Sequence, residues 1–339
     1  MTQPHQKNMS AVTLLDVAKR AGVSKATVST VINGAKSNTK VSDGTRKRIQ
    51  IAAAEMQYQP NAIARSLTRR HTNIIGFYGA YGRGGEWNPF YDVITNGLQT
   101  GCAEFRKDLL LHGAFRGGSV QDIYAELSNG KIDGLVLHTP GNDPLAQRLA
   151  ESHLPVVAIA DPAFSLPAVT VDDVQGSQMI AAHLAERGHR QIWYRQGGHH
   201  TISTQRRLTA FLEAAYSFGM TVSVETSGAK DQLSDREQQM LDGALPFQPT
   251  AAVCWEDRSA YYLLLECRRR AIEVPEQLAV VGFNGIPLPV VPWRELTTVR
   301  APWAEVARIA ISLLIAQIAG QPVPLETIVP SELILGDTT

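Results

Sequence analysis

Cysteine is scarce in this chain: Cys102, Cys254 and Cys267 are the only three in 339 residues, odd in number and far apart. No CxxC pair and no Cys/His ligand spacing occurs, which argues against a disulfide scaffold or a zinc module. Reduced, packed thiols of a cytoplasmic protein are the expectation. Long hydrophobic runs are also missing. The longest, at 309–318, is too short to span a bilayer, and the opening MTQPHQKNMS has no apolar signal core. Neither membrane insertion nor secretion is expected. No heptad pattern follows the last strand-like run, SELILG, so nothing suggests a coiled-coil tail. Net charge is absent as well, with 32 basic residues balancing 32 acidic ones.

The charge is nevertheless unevenly placed. Residues 1–71 hold 12 Lys and Arg against 3 Asp and Glu, and the remainder holds 20 against 29. A basic end suited to phosphates and an acidic body that stays off them follow from that asymmetry. The basic stretch opens TLLDVAKRAGVSKATVSTVING, in which Leu14, Val17, Ala18, Ala21, Val23, Val28 and Ile32 fall on facing stripes of two short helices. Gly22 marks the sharp turn between them, and Ser24 is placed to cap the second. This is a helix-turn-helix pattern, whose second helix enters the DNA major groove at its N-terminal end. Ser42 caps a third helix with Ile49, Ala52, Ala53 and Met56 on its apolar face and Arg46, Lys47 and Arg48 near its start. Pro60 ends that region, and Asn61 caps a segment of about two turns, which is marginal alone in water.

Ordered blocks then accumulate: Asp16-Val17-Ala18, Ala21-Gly22-Val23-Ser24, Thr27-Val28-Ser29, Asn33-Gly34, Val41-Ser42, Thr45-Arg46, Tyr58-Gln59-Pro60-Asn61 and Ala64-Arg65-Ser66-Leu67. On these the chain resembles the lactose and galactose repressor (LacI) family of bacterial transcription regulators. The resemblance implies that Thr13, Ser24, Lys25, Ala26, Thr27, Ser29, Thr30 and Asn33 approach DNA, with Lys25 and Ala26 at the most variable base-reading positions; by reach and chemistry Lys25 is expected at a base edge, Ala26 at a thymine methyl, and Thr27, Ser29 and Asn33 at phosphate or base. Thr30 stands where the family commonly has an Arg, so a bidentate guanine contact is lost there. The loop AKSNTK is longer than the usual one. The segment from Asn61 is implied to be a hinge helix that folds in the minor groove when two subunits meet on the operator. In it Ala64 allows close approach, Arg65 supplies charge, and Leu67 is the wedge that kinks the duplex.

From residue 73 the texture changes to short β-rich runs (IIGFY, LLLHGAF, IDGLVLHT, PVVAIAD, QIWYRQG, AAVCW, LAVVGFNG) alternating with amphipathic stretches such as 91–105 and 178–187. Buried parallel strands covered by helices satisfy that pattern. The fold expected is an N-terminal all-α helix-turn-helix DNA-binding domain plus an α/β periplasmic-binding-protein-like body of two doubly wound lobes. The domains read as 1–58, a hinge and linker at 59–71, and a body at 72–339. Within the body the N-lobe is expected at 72–171 and 297–323 and the C-lobe at 172–296 and 324–339, with crossings near 168–173, 287–296 and 321–327.

Enzymatic chemistry finds little support. GAYGRGG does not lead directly into a helix as a dinucleotide loop requires. His189, His199, His200 and Ser203 lack a nucleophile elbow or metal spacing. The acid pairs Asp172-Asp173 and Glu256-Asp257 lie at strand ends, where ligands also bind in α/β lobes. No cofactor or metal is called for. By the resemblance, Arg207 grips ligand oxygens in an RxxGF-like block in which Ala210 replaces Gly, Asp161 and Glu256 fix hydroxyls, and Asn284 replaces a common Asp. Trp87, Phe90, Tyr91 and Trp255 supply aromatic walls for the effector. The implied protein is a cytoplasmic homodimeric repressor that binds a near-palindromic operator and is controlled by a small molecule, a sugar or derivative. A sugar-binding or sugar-acting module on the same lobes, and a nonspecific architectural DNA protein, stay open at this point.

Overall fold

The computed structural model describes residues 12–34, 40–61, 64–66, 71–79, 88–112, 118–198, 201–227, 232–286 and 293–339. The chain divides into two compact units, Met1–Asn73 and Ile74–Thr339.

In the first unit, α1 (Leu14–Ala21) begins with a capping box: Thr13 Oγ1 accepts from Asp16 N–H, and Asp16 Oδ2 accepts from Thr13 N–H at 3.0 Å. Gly22, at φ 65°, ends the helix in the left-handed region that residues with a Cβ avoid. Helix α2 (Lys25–Asn33) starts under the Ser24 cap, whose Oγ accepts from Thr27 N–H at 3.1 Å. Ser42 caps α3 (Asp43–Glu55) in the same way. Val17, Ala18, Ala21, Val28, Ile49 and Ala52 are buried together, with Leu14, Val23, Ile32, Met56 and Tyr58 packed around them. Each large aliphatic among these contributes about 1.5–3 kcal/mol. The periodicity of the sequence therefore becomes the core directly.

The second unit contains two six-stranded sheets. The first runs β11-β5-β4-β3-β1-β2, from β1 (Ile74–Gly79), β2 (Asp108–Leu111), β3 (Gly134–His138), β4 (Val156–Ile159), β5 (Ala168–Val171) and β11 (Glu326–Val329), all parallel. The second runs β12-β10-β9-β8-β6-β7, from β6 (Gln191–Gln196), β7 (Thr221–Thr226), β8 (Ala251–Cys254), β9 (Ala279–Asn284), β10 (Thr297–Arg300) and β12 (Glu332–Ile334). Among the described residues only β12 is antiparallel to its neighbour. The covering helices are α4 (Pro89–Glu104), α5 (Val120–Leu127), α6 (Pro144–Ala150), α7 (Asp173–Glu186), α8 (Ile202–Ser217), α9 (Asp235–Leu241), α10 (Asp257–Arg269) and α11 (Trp303–Ile318). Helices α4 and α11 close on each other at Gly97, where an added Cβ would lie 2.2 Å from the Ala304 carbonyl oxygen.

The lobe boundaries differ from the expectation at two crossings. Residues 297–300, expected in the N-lobe, form β10 and stay in the second sheet, so the chain crosses at Ala301-Pro302 instead of within 287–296. The reason is hydrogen bonding: β9 is buried along its whole length, and both rows of its backbone groups need a partner strand. Residues 326–329, expected in the C-lobe, pair with β5 as an edge of the first sheet, and the last crossing comes at Pro330. As an edge strand β11 leaves Ile328 exposed and carries no apolar run, which hid it from a reading by hydrophobicity. Among the described residues no helix is long and apolar enough to cross a membrane.

Candidate functional site in each unit

On the first unit the N-terminal end of α2 is an exposed polar surface. Ser24, Lys25 and Ala26 are exposed, and Thr27, Ser29 and Thr30 are half-buried. Lys25 is the only cation on the helix. The hydroxyls are engaged locally: Ser24 Oγ and Thr27 Oγ1 lie 2.8 Å apart, and Thr30 Oγ1 donates to the Ala26 carbonyl at 3.0 Å. Asn33, expected at phosphate or base, is buried to 8 % exposure and donates from Nδ2 to Ser29 Oγ at 3.4 Å. Its amide therefore braces the helix from within the module. Thr13, likewise expected at DNA, places its hydroxyl on Asp16 Oδ2 at 2.7 Å. Asn61 caps a helical turn at 64–66, its Oδ1 accepting from Ala64 N–H at 3.2 Å; Ala64 is exposed and Arg65 half-buried. Leu67 lies outside the described residues.

In the second unit Asp161, Asn284 and Asp257 lie at or just beyond the carboxyl ends of β4, β9 and β8, and such strand ends are where open α/β sheets bind ligands. Helix α8 makes side-chain links between the lobes. Its Ser203 N–H donates to Asp161 Oδ1, beyond β4, at 2.9 Å, and its Arg206 pairs with Glu326 on β11 at 2.6 Å. Ile202 packs over Gly141, where a Cβ would meet it at 2.5 Å.

Arg207 sits at the centre of this arrangement. Nε donates to Asp173 Oδ1 at 2.7 Å, Nη1 donates to the Trp255 carbonyl at 3.0 Å, and the guanidinium lies 3.7 Å from the centre of the Phe283 ring. Two donors expected for ligand oxygens are thus held by the protein, and Arg207 ties α7, α8 and the end of β8 together. Asp173 is the group that the sequence reading left unassigned. It also accepts from Ser203 Oγ at 2.9 Å, while its Oδ2 is buried without a partner. The DD pair after a β-rich run was visible in the sequence, but which acid turns inward was not.

Asp161, at 2 % exposure, likewise has no partner for Oδ2 at full hydrogen-bond geometry, although the Thr201 hydroxyl is near enough to favour the charged carboxylate. Burial pushes its carboxyl up to about 6, with the Ser203 N–H opposing and the Asp173 charge adding to the rise. Asn284 ends β9 at φ 110°, buried, its Oδ1 also unpartnered. Trp255 is half-buried and lies on Gly197, where a Cβ would come within 2.4 Å of the indole. Glu256 is the residue before α10 and pairs with Arg258 at 3.4 Å. Its neighbour Asp257 is the buried acid, accepting from Thr298 Oγ1 and from Ile286 N–H at 2.9 Å, and burial pushes it up to about 7. Asp257 ties α10 to the segments around β9 and β10.

Phe90 and Tyr91 gather on the first lobe around His138, with Phe90 5.1 Å from the His138 ring and the Tyr91 hydroxyl 3.1 Å from His138 Nδ1. Burial takes His138 down to about 4, so it is neutral at physiological pH. Trp87, His199 and His200 lie outside the described residues. Among the described residues no group of three or more His, Cys, Asp or Glu is placed to hold a metal ion.

Residues 13–61 match the family described as "Bacterial regulatory proteins, lacI family", and residues 181–339 match the "Periplasmic binding protein-like domain". The HTH-type transcriptional repressor CytR of Escherichia coli (strain K12) is 30% identical over 327 residues, covering 94% of this chain and 93% of CytR. The chain belongs to the LacI family. Among solved structures, the transcriptional regulator CelR-cellobiose complex is similar at 26% identity and a TM-score of 0.70, covering 97% of this chain and 100% of that one. The lac repressor dimer bound to operator and the anti-inducer ONPF shares the fold at 23% identity and a TM-score of 0.80, with 97% and 99% covered. As a LacI-family member the chain is a DNA-binding transcriptional regulator and not an enzyme.

Proposed function

We propose that this LacI-family regulator acts in the cytoplasm as a homodimeric repressor of a near-palindromic operator, with affinity set by a neutral, hydroxyl-rich small molecule held between the lobes. One helix-turn-helix serves one half-site, and a two-fold dimer serves both. The hinge segment from Asn61, with Ala64, Arg65 and Leu67, carries the coupling from the lobes to the DNA. Lys25, Ala26 and Thr30 face base edges, while Ser24, Thr27 and Ser29 serve the phosphates.

The observation that carries the ligand class is the run of buried acceptors without partners: Asp161 Oδ2, Asp173 Oδ2 and Asn284 Oδ1. Buried acceptors left unpaired are costly, and a ligand that donates to them recovers that cost. Hydroxyls do so, whereas a phosphate or carboxylate would add charge beside two acids. A carbohydrate fits, as the cellobiose held by CelR illustrates. Phe90, Tyr91, Trp87 and Trp255 supply apolar faces for its ring, and Glu256 stands at the rim.

Selection of genomic fragments by the purified protein at fixed salt, repeated with a panel of neutral sugars, sugar phosphates and sugar acids, tests the reading. Enrichment of a short palindrome altered by a neutral sugar is the expected result. Enrichment altered only by a phosphorylated or acidic sugar would overturn the ligand class, and no enrichment would overturn operator recognition.

A further inference from the structure

We infer that Ala26 and Thr30 read thymine methyl groups, so that each operator half-site presents a pair of thymines to this face of α2. The inference rests on the reading of α2 as the major-groove helix and goes beyond it by naming what the helix selects. The decisive observation is the Thr30 hydroxyl, which turns back along the helix and donates its single hydrogen to the Ala26 carbonyl at 3.0 Å. Guanine N7 and O6 and adenine N7 are acceptors and would need that hydrogen; only the amino groups of adenine and cytosine can still donate to the oxygen, a contact that Thr30→Val would remove. With the hydroxyl drawn to the backbone, the γ-methyl is the other branch of the side chain. Ala26, exposed one turn earlier, offers only a methyl.

Residues four apart lie on one helix face with Cβ atoms about 5–6 Å apart. Successive base pairs rise by about 3.4 Å, so the two methyls bear on adjacent or next-adjacent pairs. Thymine is the base that carries a methyl in the major groove, and apolar contact with it is the discrimination a methyl can make. Lys25, the sole cation of the helix, is left as its charged donor. The expected half-site is therefore rich in thymine beneath residues 26 and 30, with any guanine contact confined to the reach of Lys25.

The test uses the full-length protein and the duplex enriched from a randomised library, with each thymine of the half-site replaced in turn by deoxyuridine, which lacks only the methyl. Two replacements should each weaken binding about fourfold, the effect of one buried methylene-sized group. The ratio of affinities for the thymine and uracil duplexes is then measured within each variant, so that changes in helix stability cancel. Thr30→Ser should bring that ratio to one at one thymine, and Ala26→Gly at the other. Thr30→Val, which keeps the methyl and removes the hydroxyl, should keep both ratios and the same enriched sequence. An enriched sequence with no uracil-sensitive thymine, or loss of selectivity in Thr30→Val with retention in Thr30→Ser, overturns the inference while leaving operator recognition standing. Absence of any enriched sequence overturns that recognition itself.

Discussion

The polar groups of the two units are handled in opposite ways. On α2 the side-chain hydroxyls find partners within four residues, at Ser24 with Thr27 and at Thr30 with the Ala26 carbonyl, and the surface between them stays in water. In the crevice the partners are distant in sequence: Ser203 reaches Asp161 across 42 residues and Arg207 reaches Asp173 across 34. Yet Asp161 Oδ2, Asp173 Oδ2 and Asn284 Oδ1 remain without partners. A surface that meets DNA exchanges water for phosphate and base at little cost to the free protein. Buried acceptors that no protein group reaches are costly, and under the proposed function a ligand that donates to them offsets that cost.

The sharpest way to break this contrast is Arg207→Ala. It leaves Asp173 buried without its cation, and removal of one partner of a buried pair costs about 3–5 kcal/mol. Chemical denaturation should show the second unit destabilised by that order, the ligand response lost, and unliganded operator binding intact at temperatures where the body stays folded. An unchanged ligand isotherm would remove Arg207 from the site.

Asp161 gives the next effect through pH. Its folded carboxyl, raised to about 6 from an ordinary 3.8, binds more protons than the unfolded chain between those values. Stability therefore falls as pH rises from about 4 to about 6, by at most about 3 kcal/mol from this group. Asp161→Asn should flatten that slope and raise stability at neutral pH while weakening the ligand. A slope that persists in the variant would assign it to Asp257, whose range extends to about 7.

The local side of the contrast predicts smaller changes. Ser24→Ala removes the α2 cap and should cost the first unit about 1 kcal/mol, seen as earlier melting of the helical signal, with the crevice unaffected. An equal loss of ligand affinity would contradict the separation of roles. Smallest is Glu326→Gln at the half-exposed pair with Arg206, expected at about 0.2–1 kcal/mol. Because that pair ties the lobes, ligand affinity should shift with it, whereas the pH slope assigned to Asp161 should not.

These differences follow how far apart in the chain the cooperating residues lie. The three helices, their caps at Thr13, Ser24 and Ser42, and the turn at Gly22 were legible because each rests on residues within four positions of one another. The burial of Asn33 was not legible, because its distance from the helix start says nothing of which face packs inward. The buried strands β1, β3, β4, β6, β8 and β9 were legible as apolar runs, while the edge strand β11 carries no such run. A crossing was expected within 287–296, but β9 needed β10 beside it. Likewise the acid pairs were visible, and only packing chose Asp173 and Asp257 as the inward members.

The sequence alone determined the family, the helix-turn-helix with its basic surroundings and the two-lobed α/β body, since periodicity, capping and charge act over short stretches of chain. Tertiary structure decided which lobe owns β10 and β11, that Arg207 is held by Asp173 and Trp255, and which acceptors stay unpaired. Those outcomes depend on strand partnership and burial between residues tens of positions apart, which no local pattern records.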